Sequence, residues 1–299
     1  MFDGIEITIA EEGGKLAARV RPAPALPLAR LIAGKSPEEA ATLLPRLFSL
    51  CRSAQEAAAR LSLGLDPGDS AAALHRELLR DHLLKLGLTW PQLLGLPPAP
   101  LPRPGTEAEA LFGPARHLPD TPAALARWRA EGTGAAPLLA ALDRAFAPGE
   151  AVANLAPVTD DTALAAAPVE NSPGLRHAAH PLLRAIEASH GRGPLWRALG
   201  RLADVEAALA GRLPAPRRLP DGTALAAAAR GLYALRLDTE GGRVTGLTRR
   251  TPTDHMLAPG GMLDQSIATL SATKRPLAAL VVDLLDPCVA CTLKETRDA

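Results

Sequence analysis

Val281 to Cys291 reads VVDLLDPCVAC, and two of the chain's three cysteines, Cys288 and Cys291, stand three residues apart in it. The third cysteine, Cys51, lies far upstream. Two thiolates at C-x-x-C spacing clasp one side of a metal, but zinc takes four ligands and the chain has no second close pair. On spacing alone, half a zinc site, a redox pair and two incidental thiols all stay open. A thioredoxin-like pair would open a helix after a strand early in a βαβ unit, where the helix dipole lowers the thiol pKa; a pair so late in the chain does not match that pattern. Three cysteines in 299 residues are no disulfide framework, so buried, catalytic or metal-binding thiols in a reducing compartment are expected. Cys51 sits among Leu47, Leu50 and Ala54 at helical spacing, which by itself describes a small buried core residue.

Working outward, 47% hydrophobic residues supply a real core, and 33 basic against 32 acidic side chains give a net charge of +1. No basic block marks a phosphate-backbone site, so nucleic acid is not an expected partner. The opening MFDGIEITIAEEGGKLAARV carries acids where a signal peptide needs a basic start, and no apolar run is long enough to span a membrane; a cytoplasmic protein is expected.

The same opening has β-prone runs on either side of Gly13-Gly14, predicting a hairpin from about Ile5 to Val20. Ser36, Pro37 and Glu39 carry a capping-box signature, so helix follows, interrupted near Pro45. Leu74, Leu78, Leu79 and Leu83 place another helix over Ser70–Leu86. Trp90 to Pro122 is so proline-rich that it is expected to be largely loop. Helices are predicted over Pro122–Ala130, Ala135–Phe146, Leu175–His190 and Pro194–Leu213. GLYALRLDTEGGRVTGLTRR gives a second hairpin turning at Gly241-Gly242, and two helical stretches lead to the cysteine pair. The expected class is α+β, mainly α: one helical domain over residues 1–299 with two small hairpins and a proline-rich loop at about 90–122.

Other constellations carry less. His177 and His180 in HAAH would share a helix face, with His190 further along, but no Glu lies inside the motif and Pro181 follows at once, so these are ordinary surface or packing histidines. Gly241-Gly242 and Gly260-Gly261 belong to no phosphate-cradling pattern, and no G-x-S-x-G elbow or Ser-His-Asp order is present.

Read with its neighbours, VVDLLDPCVAC resembles the C-terminal D-P-C-x-x-C motif of nickel-iron hydrogenase large subunits. The family's other half-site is R-x-C-x-x-C followed by a histidine. RLFSLCRSAQ is similar in Arg46 and Cys51, but has Phe48 in place of the first cysteine and Gln55 in place of the histidine. ARGLYALRLDTEGGRVTGLTRRTPTD resembles the family's A-P-R-G segment, hairpin and P-[ST]-T-W-N turn, matching at Arg230, Gly231, Pro252 and Thr253, with Ala229 replacing proline. APGGMLDQSIATL resembles the stretch that follows, and FDGIEI the R-x-E-G-H start. The middle of the chain is unmatched, and the resemblance implies a large-subunit-like helical core shortened there.

In that family the first cysteine of each motif binds nickel alone and the second bridges to an iron carrying cyanide and carbon monoxide. By position, the resemblance implies that Cys51 and Cys291 are the iron-binding pair. Cys288 is then one terminal nickel ligand, and Phe48 replaces the other. Two thiolates and three diatomic ligands complete a five-coordinate low-spin iron, whereas nickel loses part of its soft sulfur site, so iron is the implied metal and nickel is not. Arg230 and Thr253, with Pro252 beside it, would orient the cyanides; without the resemblance, Arg230 is a solvated arginine beside a strand. Lys294 stands where the family has a histidine next to its maturation cleavage site, so this chain is not an expected processing substrate.

These departures resemble the HupK-type (HoxV-like) accessory proteins. That resemblance implies a non-catalytic assembly scaffold with three kinds of partner: a HypC-like maturation chaperone, iron-fragment assembly proteins and the precursor large subunit. The alternatives are a structural zinc or redox-thiol protein and a diverged nickel-iron hydrogenase subunit.

Overall fold

A computed structural model describes residues 4–22, 24 and 26–295. About 47% of the chain is helical. Strands β1 (Ile5–Glu12) and β2 (Lys15–Arg21) form the predicted hairpin, with Glu12 opposite Lys15 across a two-residue turn. Gly13 and Gly14 adopt φ of 59° and 78°, as a tight turn matched to strand twist requires. Ile5, Ile7 and Ile9 alternate inward and are buried. Of the expected FDGIEI resemblance, Phe2 and Asp3 lie outside the described residues.

Helices α1 (Leu28–Ile32) and α2 (Pro37–Leu43) follow, the second capped reciprocally by Ser36 and Glu39 as predicted. Pro45 falls in a 3-10 turn, Leu44–Leu47, which breaks the path before α3 (Arg52–Ser62). Helix α4 (Ser70–Leu84) continues through a π turn, Lys85–Thr89, into α5 (Trp90–Leu93). The proline-rich stretch is not all loop: it contains α5 and α6 (Glu107–Phe112), because Trp90, Leu111 and Phe112 have core to bury in. Helices α7 (Pro122–Glu131) and α8 (Ala136–Ala145) lie where expected.

HAAH does not form one helix face. His177 ends a 3-10 turn, Pro173–His177, and His180 caps α9 (Pro181–His190), its Nδ1 accepting the Leu182 N–H at 3.2 Å. Pro181 starts the helix because its fixed φ suits the first helical position. Helix α10 (Pro194–Leu209) is buried on nearly every side, with Trp196, Leu199 and Leu202 fully enclosed. A helix of that kind runs through a core.

Each expected hairpin is part of a larger sheet. Strands β3 (Arg217–Arg218), β4 (Ala224–Ala228), β5 (Gly231–Glu240) and β6 (Arg243–Arg250) form an antiparallel sheet in that order. Its alanine-rich β4 carries no β-propensity signal and is held by burial instead. Helices α11 (Pro252–Met256), α12 (Met262–Ala268) and α13 (Ala278–Leu285) follow. Strand β7 (Cys291–Glu295) then pairs parallel with β1, Ile5 opposite Cys291, giving the order β2-β1-β7. Gly4 permits this approach: a Cβ there would meet the Ala290 carbonyl oxygen at 2.3 Å.

Two large hydrophobic clusters result, with two small ones beside them. One gathers α8, α10, α13 and the first sheet, with Cys291 at its edge; the other packs α3 on β4–β6 and contains Cys51. The two halves of the thiol motif therefore lie on different cores. Among the described residues no helix is long and apolar enough to cross a membrane.

Candidate metal centre

Cys51 is not within a helix, as its spacing implied. It is the N-cap of α3 in the left-handed region, φ 53° and ψ 36°, a conformation that costs a non-glycine residue about 1–2 kcal/mol. Gln55, expected only as the loss of a histidine, holds this turn: its Nε2 donates to the Leu50 carbonyl at 3.0 Å and its N–H to the Cys51 carbonyl at 3.1 Å. Burial pushes the Cys51 thiol up to about 12, against the opposing charge of Arg230.

Arg230 sits at the β4–β5 turn, 6% exposed. Its Nη1 donates to Cys51 Sγ at 3.3 Å and to Asp81 Oδ2 at 2.9 Å, and its Nε lies 3.3 Å from Asp286 Oδ2. Gly231 next to it has φ 141°, and a Cβ there would strike the Asn171 carbonyl oxygen at 2.4 Å. The Arg-Gly pair thus reflects a side chain that reaches the thiol and a backbone that passes Asn171.

Thr253 belongs to α11, whose first turn is set by Pro252 at its start and by the reciprocal cap of Thr251 and Asp254. The Cys288 N–H donates to Thr253 Oγ1 at 2.8 Å, and the hydroxyl in turn donates to Cys288 Sγ at 3.0 Å. Cys288 and Cys291 are both half-buried. Burial, with Asp283 and Cys288 adding, pushes the Cys291 thiol up to about 11, while Lys85 opposes.

The charge of Cys288 adds to the upward shift of both the Cys51 and the Cys291 thiol. Among the described residues no three His, Cys, Asp or Glu side chains converge as a ready metal cage, so the arrangement is a set of neighbouring thiols with fixed hydrogen-bond donors. A cleft of about 540 Å³ opens beside them, lined by Cys291, Arg230, Lys85, Asp283 and Asp286 with Leu93 and Val289 at its apolar side. The histidines stay apart from it: His180 pairs with Asp120 at 3.5 Å and His190 with Asp143 at 3.3 Å.

Asp286 anchors the motif from behind. It ends α13 in the left-handed region, φ 55°, and its carboxylate takes Arg201 at 2.7 Å, Lys85 at 3.2 Å and Arg230 at 3.3 Å. Burial would raise the carboxyl, but these three cations outweigh it and hold it well below the usual carboxylate range. The π turn supports this cluster, because it brings Lys85 and Trp90 together on Asp283 at 2.9 Å and 2.8 Å. Local π turns of this type recur at functional sites.

From Arg201 a buried network runs away from the thiols. Arg201 Nη1 donates to His82 Nδ1 at 2.9 Å, which leaves the proton on Nε2 to donate to Asp204 Oδ2 at 2.8 Å. Arg176 and His177 complete the shell of Asp204. Desolvation lowers the His82 pKa to about 4, so the ring is neutral. These residues carry no motif, and sequence reading passes over them. Their one signal is the presence of Arg201 and Asp204 in α10, whose residues are apolar apart from these two, Arg197 and Glu206, since buried charges persist only when paired.

No protein-family model matches the chain. The hydrogenase expression/formation protein HupK of Rhodobacter capsulatus is 52% identical over 305 residues, spanning 100% of both chains. Among solved structures, the chain is similar to the Ni-Fe-Se hydrogenase of D. vulgaris Hildenborough, with a TM-score of 0.60 and 13% identity over 94% of this chain and 95% of the other. The [NiFeSe]-hydrogenase of Dm. baculatum gives 0.59 and 13% over 93% and 94%. At that identity the likeness is one of fold, the hydrogenase large-subunit fold, and it extends through the middle of the chain where no motif matched.

Proposed function

This chain belongs to the HupK family of hydrogenase expression/formation proteins, and on that footing we propose that it is a non-catalytic carrier in hydrogenase maturation. Its cargo is the iron fragment bearing cyanide and carbon monoxide, taken from a HypC-like chaperone and its iron-fragment assembly partners and passed to the precursor large subunit. Cys51 and Cys291 are the protein ligands. The observation that carries this reading is the position of Arg230, which donates to Cys51 Sγ and lines the same cleft as Cys291. One guanidinium thus joins residues that the sequence separates by most of its length.

The chemistry of the donors agrees. Both thiols are protonated at neutral pH because burial raises them, so loading releases two protons and makes two thiolates. Low-spin iron with three diatomic ligands needs only those two, so the lack of a preformed three-ligand cage is no obstacle. Arg230 is the guanidinium donor to cyanide nitrogens, and the Thr253 hydroxyl, held at the first turn of α11 beside Pro252, becomes a second donor when its hydrogen turns away from Cys288 Sγ. Cys288, whose charge acts on both thiols, serves thiolate exchange during loading or release.

The test is infrared spectroscopy with metal analysis on protein purified without oxygen from a host with active hydrogenase maturation. Cyanide and carbonyl stretches with iron and without nickel are expected. Cys51→Ala and Cys291→Ala are each expected to abolish them, while Cys288→Ala retains part. Stoichiometric zinc with no such bands in any sample would overturn the carrier reading.

A further inference from the structure

Phe48 lies three residues before Cys51, and the guanidinium of Arg249 stands over its ring, 4.6 Å from the centroid. The sheet register explains the placement. Arg249 on β6 is opposite Leu235 on β5, and Tyr233 shares the face of Leu235, so all three side chains belong to the face covered by α3. Cys51, Tyr233 and Leu235 form one buried cluster with Phe48 packed against it.

Arg249 is half-buried and, among the described residues, has no carboxylate partner at ion-pair distance. The Tyr233 hydroxyl is enclosed without a hydrogen bond of good geometry. Through the Phe48 ring the guanidinium thus stands at the edge of the cluster that encloses the Cys51 thiol, without a carboxylate of its own. An unpaired cation at the edge of a core is unfavourable unless an anion joins it in the working state.

Loading supplies that anion. Iron(II) with two cyanides and one carbonyl is neutral, so two thiolate ligands leave the loaded centre doubly negative. Arg230 does not offset this charge, because Asp81 and Asp286 already pair with it. We infer that Arg249, stacked on Phe48, is the fixed cation of this site: it compensates the thiolates of the loaded carrier and bars a divalent metal from binding beside the iron. The inference rests on the carrier reading given above. It adds a selectivity determinant to that reading, a positive side chain stacked on the residue that replaces a nickel ligand.

The experiment uses the full chain purified anaerobically, with Arg249→Gln, Arg249→Lys and Phe48→Leu beside the wild type. Each is analysed for iron and infrared bands as isolated, and the apo-form is titrated with nickel(II) alone. Arg249→Gln removes the charge and keeps hydrogen bonding; it is expected to bind nickel(II) at least about tenfold more tightly and to retain severalfold less cyanide-bearing iron, since a unit charge near a divalent ion acts strongly in a partly buried site. Arg249→Lys keeps the charge and should behave as wild type, while Phe48→Leu, which frees the guanidinium from its ring, should fall between. Wild-type nickel exclusion and iron retention in Arg249→Gln would overturn the inference, as would equal gains in nickel affinity for the glutamine and lysine variants. If the wild type carries no cyanide-bearing iron at all, the carrier reading fails, and the nickel titration still decides whether Arg249 excludes the second metal.

Discussion

Asp286→Asn isolates the charge of the residue that anchors the thiol motif. The side chain is 3% exposed by residue, and its carboxylate serves three cations, of which Arg201 is equally enclosed. Asparagine keeps the size and tolerates the left-handed backbone, so the change removes charge rather than shape. One amide oxygen remains to accept from Arg201, but the amide N–H₂ then points at a neighbouring cation. Removing one partner of a buried ion pair costs about 3–5 kcal/mol. With an m-value of about 5 kcal/mol per molar in guanidinium chloride, the midpoint should fall by roughly 0.6–1 M. Asp283→Asn is the control: its carboxylate is about a quarter exposed, with 27% relative side-chain area, and the amide can still accept from Trp90. Solvent screening limits that loss to about 1 kcal/mol. The gap between the two variants should persist at pH 5, above the ordinary carboxylate pKa of about 3.9, and shrink in stronger acid where the unfolded wild-type chain takes up the proton. Guanidinium titrations at both pH values measure it. An Asp286→Asn midpoint matching that of Asp283→Asn would refute the view that charge holds this cluster.

Three further outcomes are expected. Thr253→Val leaves the Cys288 N–H without its partner and should cost about 1–3 kcal/mol in denaturant titration, with no effect from Thr253→Ser. Gly231→Ala drives a Cβ into Asn171 and should lower stability by more than about 3 kcal/mol while raising the accessibility of Cys51 to alkylation, read by mass spectrometry. His82 has a folded pKa of about 4 against an ordinary value of about 6.5, so the unfolded chain binds the extra proton first. Its contribution is complete above pH 6.5 and is lost as pH falls through that window, about 3 kcal/mol in all, and urea titrations of wild type and His82→Gln between pH 7 and pH 4.5 should converge accordingly.

The elements with local signals were legible: the Gly13-Gly14 and Gly241-Gly242 turns, the Ser36 cap and the helices starting at Pro37, Pro122 and Pro194 lie where the residues place them. What was not legible depends on distant partners. Strand β7 exists because β1 offers an edge, β4 is a strand of alanines because α3 covers it, and Trp90 to Pro122 gains helix where it meets the core. At the site, Arg230 and Thr253 were legible through resemblance alone, and the structure gives each a thiol to bond. Cys51 was misplaced, because spacing reports helical periodicity and not the left-handed cap that precedes it. The Arg201–His82–Asp204 network was invisible for a similar reason: three single residues on two helices acquire meaning only when the helices pack.

The pairing of Ile5 with Cys291 has a consequence for the order of events on the ribosome. Strand β1 is translated well before its second neighbour, which follows 286 positions later (291 minus 5). Until then the Cys51 turn and Arg230 can fold, but the sheet keeps an open edge and the thiol set lacks its last member. If the chain carries the proposed iron fragment, its capture would follow the pairing of β7 with β1. A partner that recognises the cleft with β7 in place recognises, in the same contact, a polypeptide that has been read past residue 295 and has closed its longest loop.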